Sequence, residues 1–179
     1  MSGSPNRSIC YRADINSVLS GYVDSSYADD ILDRKSTSGY VFLFGKSPIS
    51  WKSIKQKCVA ASTTEAEYIA ASEMTKQAIF YLNLASNVLP INRTITAFSD
   101  NTSCIRISKD SNLHSKTKHI DVRFHITRQA QELKQIDIKF CKSGDNLADM
   151  FTKPLSGKLF FRHRNSLFLS NHVPTKEGC

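Results

Sequence analysis

Short runs rich in β-branched and aromatic residues, separated by polar stretches, fill the first third of the chain. Residues 18–25 (VLSGYVDS) and 39–45 (GYVFLFG) are runs of this kind, and residues 48–53 (PISWKS) follow after a short gap beyond Gly45. β-branched and aromatic side chains favour strands, and Gly interrupts them. The pattern therefore predicts three consecutive antiparallel strands, the last two joined as a hairpin.

A helical pattern replaces the strand pattern after residue 60, where the apolar period lengthens from two residues to about 3.6. Ser62-Thr63-Thr64-Glu65 is a capping-box sequence, with Ser62 as the N-cap and Glu65 three residues later. We predict a long helix from here to about Val88, because Pro90 cannot continue it.

Short strands and helices alternate in the second half. Residues 94–100 (TITAFSD) and 136–143 (IDIKFCKS) predict strands. Helices are predicted at 101–109 (NTSCIRISK), 116–135 (KTKHIDVRFHITRQAQELKQ) and 145–155 (DNLADMFTKPL), the last interrupted by Pro154. The order β-β-β-α-β-α-α-β-α predicts an α/β fold, with a mixed five-stranded sheet and helices on both faces.

The length of 179 residues suits one domain. We expect a flexible leader at 1–16, the α/β domain at 17–156, and a C-terminal helix with a loose tail at 157–179. No stretch holds the roughly 18 apolar residues that a membrane span needs, so no membrane partner is expected. The five cysteines are scattered without a paired motif, which predicts free thiols, a reducing compartment and no disulfide-linked partner.

Positive charge is concentrated in the second half of the chain. The net charge is +8, and residues 101–179 hold 14 basic and 7 acidic side chains, which leaves only +1 for residues 1–100. This imbalance favours a polyanionic partner, most simply nucleic acid. A solvated basic face without a partner would have the same composition, so charge alone leaves both interpretations open.

Two aspartates stand at the ends of predicted strands, where sites form in α/β sheets. Asp24 closes the first strand and Asp100 closes the fourth. Each also has a structural interpretation, because Asp favours turns and N-caps and Asp100-Asn101 precedes a predicted helix. Position alone does not decide between the two.

Glu65 and Glu67 lie two residues apart on the predicted long helix and so point about 200° away from each other. Glu65 has the capping role, and its stripe is mixed or polar: Tyr68, Ile69, Ser72 and Lys76. The stripe of Glu67 is apolar: Ala70, Ala71, Met74, Ala78, Leu82 and Ala85. A carboxylate on a buried face needs a proton, a basic partner or a metal, unless it reaches the surface.

Asp145 and Asp149 flank the start of the helix predicted at 145–155. Asp145 is explained as its N-cap, whereas Asp149 lies among apolar neighbours and has no such role. Asp24, Glu67, Asp100 and Asp149 together are hard oxygen ligands that suit Mg²⁺ or Mn²⁺ better than zinc. Three or four converging carboxylates can hold two ions about 4 Å apart, the arrangement used for phosphodiester cleavage.

Four sequence strings carry a family resemblance: DRKSTSGYVF at 33–42, STTEAEYIA at 62–70, HSKTKHIDVRFH at 114–125 and ADMFTKPL at 148–155. In this order they resemble the ribonuclease H domain at the end of copia-type retrotransposon polyproteins, over roughly residues 8–169. The resemblance implies the ribonuclease H-like fold and an acidic site at Asp24, Glu67, Asp100 and Asp149. It also implies metal-dependent cleavage of the RNA strand of RNA–DNA hybrids during reverse transcription.

The resemblance also carries expectations about partners. We expect Lys116, Lys118, Arg123 and Arg128 to contact phosphates. The loop at 141–146 lacks the histidine found in some ribonucleases H, so proton transfer or product release would use water or Lys142. The expected protein partner is the reverse-transcriptase domain of the same polyprotein.

Two further expectations concern the state of the chain. It carries no reverse-transcriptase, integrase or protease sequence, which predicts a fragment or a truncated element. The cytoplasm, including virus-like particles, and the nucleus are the expected locations. The alternative to an active nuclease is an inactive retrotransposon remnant that binds nucleic acid or a reverse transcriptase.

Overall fold

The computed structural model describes residues 8–9, 11, 18–86, 94–109, 121–167 and 169–170. The strands of these residues are β1 (Ser8–Ile9), β2 (Leu19–Ser26), β3 (Thr37–Phe44), β4 (Ser47–Lys55), β5 (Ile95–Ser99), β6 (Ile136–Phe140) and β7 (Leu169–Ser170). The helices are α1 (Thr63–Ser86), α2 (Thr102–Lys109), α3 (Asp121–Glu132) and α4 (Gly157–Ser166). Two 3-10 turns, at Ser143–Asp145 and Leu147–Phe151, lie between β6 and α4.

A mixed five-stranded sheet, in the order β4-β3-β2-β5-β6, forms the centre of the fold. β3 pairs antiparallel with both β2 and β4, whereas β5 pairs parallel with β2 and with β6. The predicted α/β fold with a mixed five-stranded sheet is confirmed. Because β2, β5 and β6 run parallel, their carboxyl ends lie at the same end of the sheet.

Each face of the sheet packs against its own layer. α1, α2 and α3 cover one face, and Val23, Phe42, Met74 and Ile138 are buried in the core between them. The second 3-10 turn and Leu167, just after α4, cover the other face. Helices on both faces are therefore confirmed, although a single turn covers most of the second one. β3 is buried from Ser38 to Leu43 because it is covered on both sides.

The start of α1 has the predicted Ser62 cap, and Glu65 reaches back to the residue before the cap instead of to the cap itself. The Ser62 hydroxyl accepts a hydrogen bond from the Glu65 backbone N–H at 3.1 Å, and the Glu65 carboxylate accepts one from the Ala61 N–H at 2.7 Å. The polar stripe predicted beside Glu65 is wrong in part. Its members Tyr68, Ile69 and Ser72 are buried, because the sheet and neighbouring segments cover this half of α1 on most sides, and only Lys76 is exposed.

The segment 145–155 is not the predicted α-helix, and its 3-10 turns are held by side chains instead of a helical ladder. The cap is Asn146 and not Asp145, since its side chain accepts from the Ala148 N–H at 3.2 Å. Asn146 also donates to the Val23 carbonyl at 2.9 Å, which fastens the turn to β2. Pro154 then prevents the turn from extending into a helix.

Gly39 of β3 allows this turn to lie directly on the sheet. A Cβ atom at Gly39 would meet the Thr152 side chain at 2.6 Å and the Phe151 Cβ at 3.0 Å. Gly39 is also the partner of Asp24 in the β2–β3 register. The close approach therefore places the end of the turn over Asp24.

Two short strands near the chain ends form a separate antiparallel ribbon, in which β1 pairs with β7. No helix within the described ranges is long and apolar enough to cross a membrane. Within the described ranges, Cys58, Cys104 and Cys141 form no disulfide.

Candidate active site

Three carboxylates converge where β2 and β5 end. Asp24 is near the end of β2, Asp100 follows β5 directly, and Asp149 lies in the second 3-10 turn. Each offers a carboxylate oxygen, and these oxygens lie within 4.8 Å of one another. Asp24 and Asp149 are only 2% and 3% exposed, while Asp100 is partly exposed. The cluster therefore has one open side.

A neighbouring residue takes over the capping role that could have explained Asp100. The Asn101 side chain accepts a hydrogen bond from the Cys104 backbone N–H at 2.8 Å, and so caps α2. Asp100 is thus left to the cluster. Asp24 is equally unsuited to a turn role, since it is a buried residue inside a strand.

Two residues missed by the sequence reasoning complete the cluster. The Thr152 hydroxyl donates a hydrogen bond to Asp24 Oδ2. The Lys153 ammonium lies 3.0 Å from Asp149 Oδ1 and 3.5 Å from Asp24 Oδ2. Both residues stand in the ADMFTKPL string, three and four positions after Asp149. Only that spacing could have indicated them, because the contact with Asp24 spans 128 positions of sequence.

Glu67 lies beside the three aspartates but outside the set whose oxygens come within 4.8 Å. It is 7% exposed, and Oε1 accepts a hydrogen bond from the Ser25 backbone N–H at 3.3 Å. Oε2 is buried and has no hydrogen-bond partner among the described residues. A buried carboxylate oxygen without a partner is costly unless a proton or a cation satisfies it.

The electrostatics of the site show the same need for positive charge. Burial raises the pKa of Asp24 to about 6, with the Asp149 and Asp100 charges adding to the rise and Thr152 and Lys153 opposing it. Burial, together with the charges of Asp24 and Asp100, raises the pKa of Glu67 to about 8. Such shifts are typical of converging carboxylates that a cation stabilises.

The residues present fit a hard divalent cation. Asp24, Asp100 and Asp149 offer converging oxygens, and the unsatisfied Glu67 Oε2 lies beside them. All of these are ligands preferred by Mg²⁺ and Mn²⁺. Among the described residues, the three aspartates form the group of acidic, histidine or cysteine side chains whose ligand atoms lie close enough together to hold a metal ion.

The raised pKa values predict a pH-dependent stability for the metal-free chain. A carboxyl group with a higher pKa in the folded state binds more protons there, so the free energy of unfolding falls as pH rises. For Glu67 the loss begins above its ordinary value of 4.5 and is complete above about 8. We expect urea unfolding in EDTA to show a loss of at least about 1 kcal/mol over this range. Glu67→Gln should flatten the curve, and an equally steep curve in that variant would contradict the assignment.

The predicted phosphate contacts are only partly within the described residues. Lys116 and Lys118 lie outside them, and Arg123 lies in α3 at a position whose side chain is not described. Arg128 is half-buried, and its Nη2 donates to the Ile107 carbonyl at 3.4 Å, which ties α3 to α2. Lys142 is exposed between β6 and the first 3-10 turn, near the Asp149 end of the sheet.

Solved structures with the same fold are ribonucleases H. The ribonuclease H1 of the archaeon Halobacterium salinarum aligns with a TM-score of 0.53 at 14% identity, over 75% of this chain and 93% of that one. A ribonuclease H1 isolated from compost (LC11) gives 0.52 at 14% identity, over 76% of this chain and 93% of that one. At these identities the likeness shows the ribonuclease H fold alone.

Sequence relatives are transposon polyproteins. The Pol polyprotein of transposon TNT 1-94 from Nicotiana tabacum is 43% identical over 136 residues, which are 76% of this chain and 10% of that protein. The polyprotein of transposon RE1 from Arabidopsis thaliana is 32% identical over 176 residues, which are 98% of this chain and 12% of that protein. No family model matches. The chain thus spans about a tenth of these relatives: its homologues are retrovirus-related Pol polyproteins of copia-type transposons, and its fold is that of the ribonucleases H.

Proposed function

We propose that the chain is a metal-dependent endonuclease that cleaves the RNA strand of RNA–DNA hybrids during retrotransposon reverse transcription. One observation carries the proposal: three carboxylates converge within 4.8 Å at the sheet edge, beside a glutamate with an unsatisfied buried oxygen. The ribonuclease H fold and the Pol relatives support it. The reverse-transcriptase domain of the same polyprotein is its proposed protein partner.

Asp24, Asp100, Asp149 and Glu67 would hold Mg²⁺ or Mn²⁺, as two ions. When bound, such ions supply an activated water and neutralise charge on the leaving oxygen. Thr152 and Asn146 fix the orientation of Asp24 and of the turn that carries Asp149. Asp100 is partly exposed, so a phosphate would reach the cluster from its side.

Hybrid recognition would rest on groove shape, 2′-hydroxyls and phosphate contacts more than on sequence. Lys116, Lys118, Arg123, Arg128 and Lys142 are the proposed phosphate contacts. The open side of the acidic cluster needs such cations nearby, because carboxylates and phosphates repel each other.

Hybrid affinity should fall steeply with added salt. Five phosphate contacts would release about five counterions, so a fourfold rise in salt should weaken binding roughly 500-fold. Lys142→Met should reduce the slope of log affinity against log salt by about one. Lys76→Met is the matched control, because Lys76 is an exposed residue of α1 that pairs with Glu73 at 2.7 Å and is not among the proposed contacts, and its slope should not change. If hybrid affinity did not change with salt concentration, the basic residues could not lie in the interface.

A cleavage assay on an end-labelled RNA–DNA hybrid tests the proposed function. We expect RNA fragments with Mg²⁺ or Mn²⁺ and none with EDTA, while single-stranded RNA and the DNA strand stay intact. A chain that binds the hybrid with salt dependence but does not cleave it would be an inactive remnant, and the proposal would fail.

A further inference from the structure

Lys153 places a positive charge inside the acidic cluster. Its ammonium lies 3.0 Å from Asp149 Oδ1 and 3.5 Å from Asp24 Oδ2, so it bridges two of the three converging carboxylates. The two carboxylates are almost fully buried, whereas the Lys153 side chain is 39% exposed. A divalent ion bound by the same oxygens would have to share them with this ammonium or displace it.

The backbone around Lys153 is fixed, but its side chain has room to leave. The Lys153 N–H donates to the Asp149 carbonyl at 3.2 Å, and the Thr152 hydroxyl anchors the neighbouring residue on Asp24. The turn therefore presents Asp149 and Lys153 as one unit. The lysine stem is long, flexible and in contact with solvent, so the ammonium can move without moving the turn.

We propose that Lys153 is a built-in countercation, which holds Asp24 and Asp149 together in the metal-free chain and is displaced when a divalent ion binds. This inference rests on the proposed function, since it requires that the cluster binds metal. An ammonium lowers the repulsion between the carboxylates but supplies only a single charge. Lys153 therefore stabilises the empty site and weakens metal binding at the same oxygens.

Removing the ammonium should raise metal affinity and lower metal-free stability together. We expect Lys153→Met to bind Mn²⁺ roughly 10-fold more tightly than the wild-type chain, as measured by calorimetry without nucleic acid. Its melting temperature in EDTA should be lower than that of the wild type. Lys153→Gln should change both in the same direction, and Lys153→Arg, which keeps the charge, should stay close to the wild type.

The matched control is Lys139→Met. It removes the same charge from an exposed residue of β6 that pairs with Asp137 at 3.5 Å. A gain in Mn²⁺ affinity in both Lys139→Met and Lys153→Met would reduce the effect to overall net charge and overturn the inference. Equal or weaker Mn²⁺ binding by Lys153→Met and Lys153→Gln would overturn it as well.

The same titration separates this inference from the proposed function. If the wild-type chain binds Mn²⁺ and the Lys153 variants bind no tighter, only the role of Lys153 fails. If the wild-type chain binds no Mn²⁺ but Lys153→Met does, the result supports the role of Lys153 as a countercation. It does not support metal-dependent cleavage by the wild-type chain. If none of the proteins binds Mn²⁺, both proposals fail.

Discussion

Replacing Asp24 by Asn should reduce hybrid cleavage by at least about 10³-fold, because a charged metal ligand contributes several kcal/mol of stabilisation where charge develops. The variant should remain folded. Asn has the size of Asp, and its amide oxygen can still accept the hydrogen bond that Thr152 donates to Asp24 Oδ2. Asp100→Asn should show the same loss. The measurements are cleavage rate at saturating Mg²⁺ and thermal unfolding in EDTA.

Asp137→Asn is the matched control for these variants. Asp137 also lies on a sheet strand, but it is paired with Lys109 at 3.1 Å and stands outside the acidic cluster. Its cleavage rate should stay within about twofold of the wild type. Near-normal cleavage by Asp24→Asn or Asp100→Asn would show that the site is misplaced.

The neighbouring glutamates should behave in opposite ways. Glu65→Gln should leave cleavage nearly unchanged, since Gln also serves in a capping box and can still accept from the Ala61 N–H. Glu67→Gln should cut cleavage by orders of magnitude. The Gln side chain keeps the size and the contact with Ser25 but loses the charge that holds metal.

Stability in metal-free buffer gives an independent reading of Glu67. Above pH 8 the Glu67→Gln variant should be more stable than the wild type, because a buried carboxylate is no longer held beside Asp24 and Asp100. An inactive Glu65→Gln together with an active Glu67→Gln would mean that the assignment of the four carboxylates is wrong.

Local signals in the sequence were enough to place most of the sheet and three of the helices. Ser62 and Glu65 marked the start of α1, and the strand runs around Val23 and Phe42 lie in the core. Asp24 and Asp100 were candidates because they stand at strand ends, although each also had a possible turn or N-cap role, and Asp149 was a candidate because its apolar neighbours gave it no such role. Such features depend on a few adjacent residues, so they can be read from a single sequence.

Features that depend on distant parts of the chain could not be read in this way. The turn at Leu147–Phe151 is held by Asn146 on Val23 and by Thr152 on Asp24, both more than 100 positions away. Tyr68 and Ile69 are buried by neighbours that helical periodicity does not describe. The sequence next to Lys153 likewise gives no sign that Asp24, 129 positions earlier, lies within 3.5 Å of its ammonium.

Anomalous scattering from crystals of the chain with Mn²⁺ and an RNA–DNA hybrid would locate the bound ions directly. We predict manganese peaks coordinated by Asp24, Asp100 and Asp149, with Glu67 as a further ligand and the scissile phosphate at the same place. Asp24→Asn crystals should lose at least one peak. A hybrid-bound structure with no manganese at these carboxylates, or with manganese bound elsewhere on the chain, would show that the four carboxylates are not the metal site.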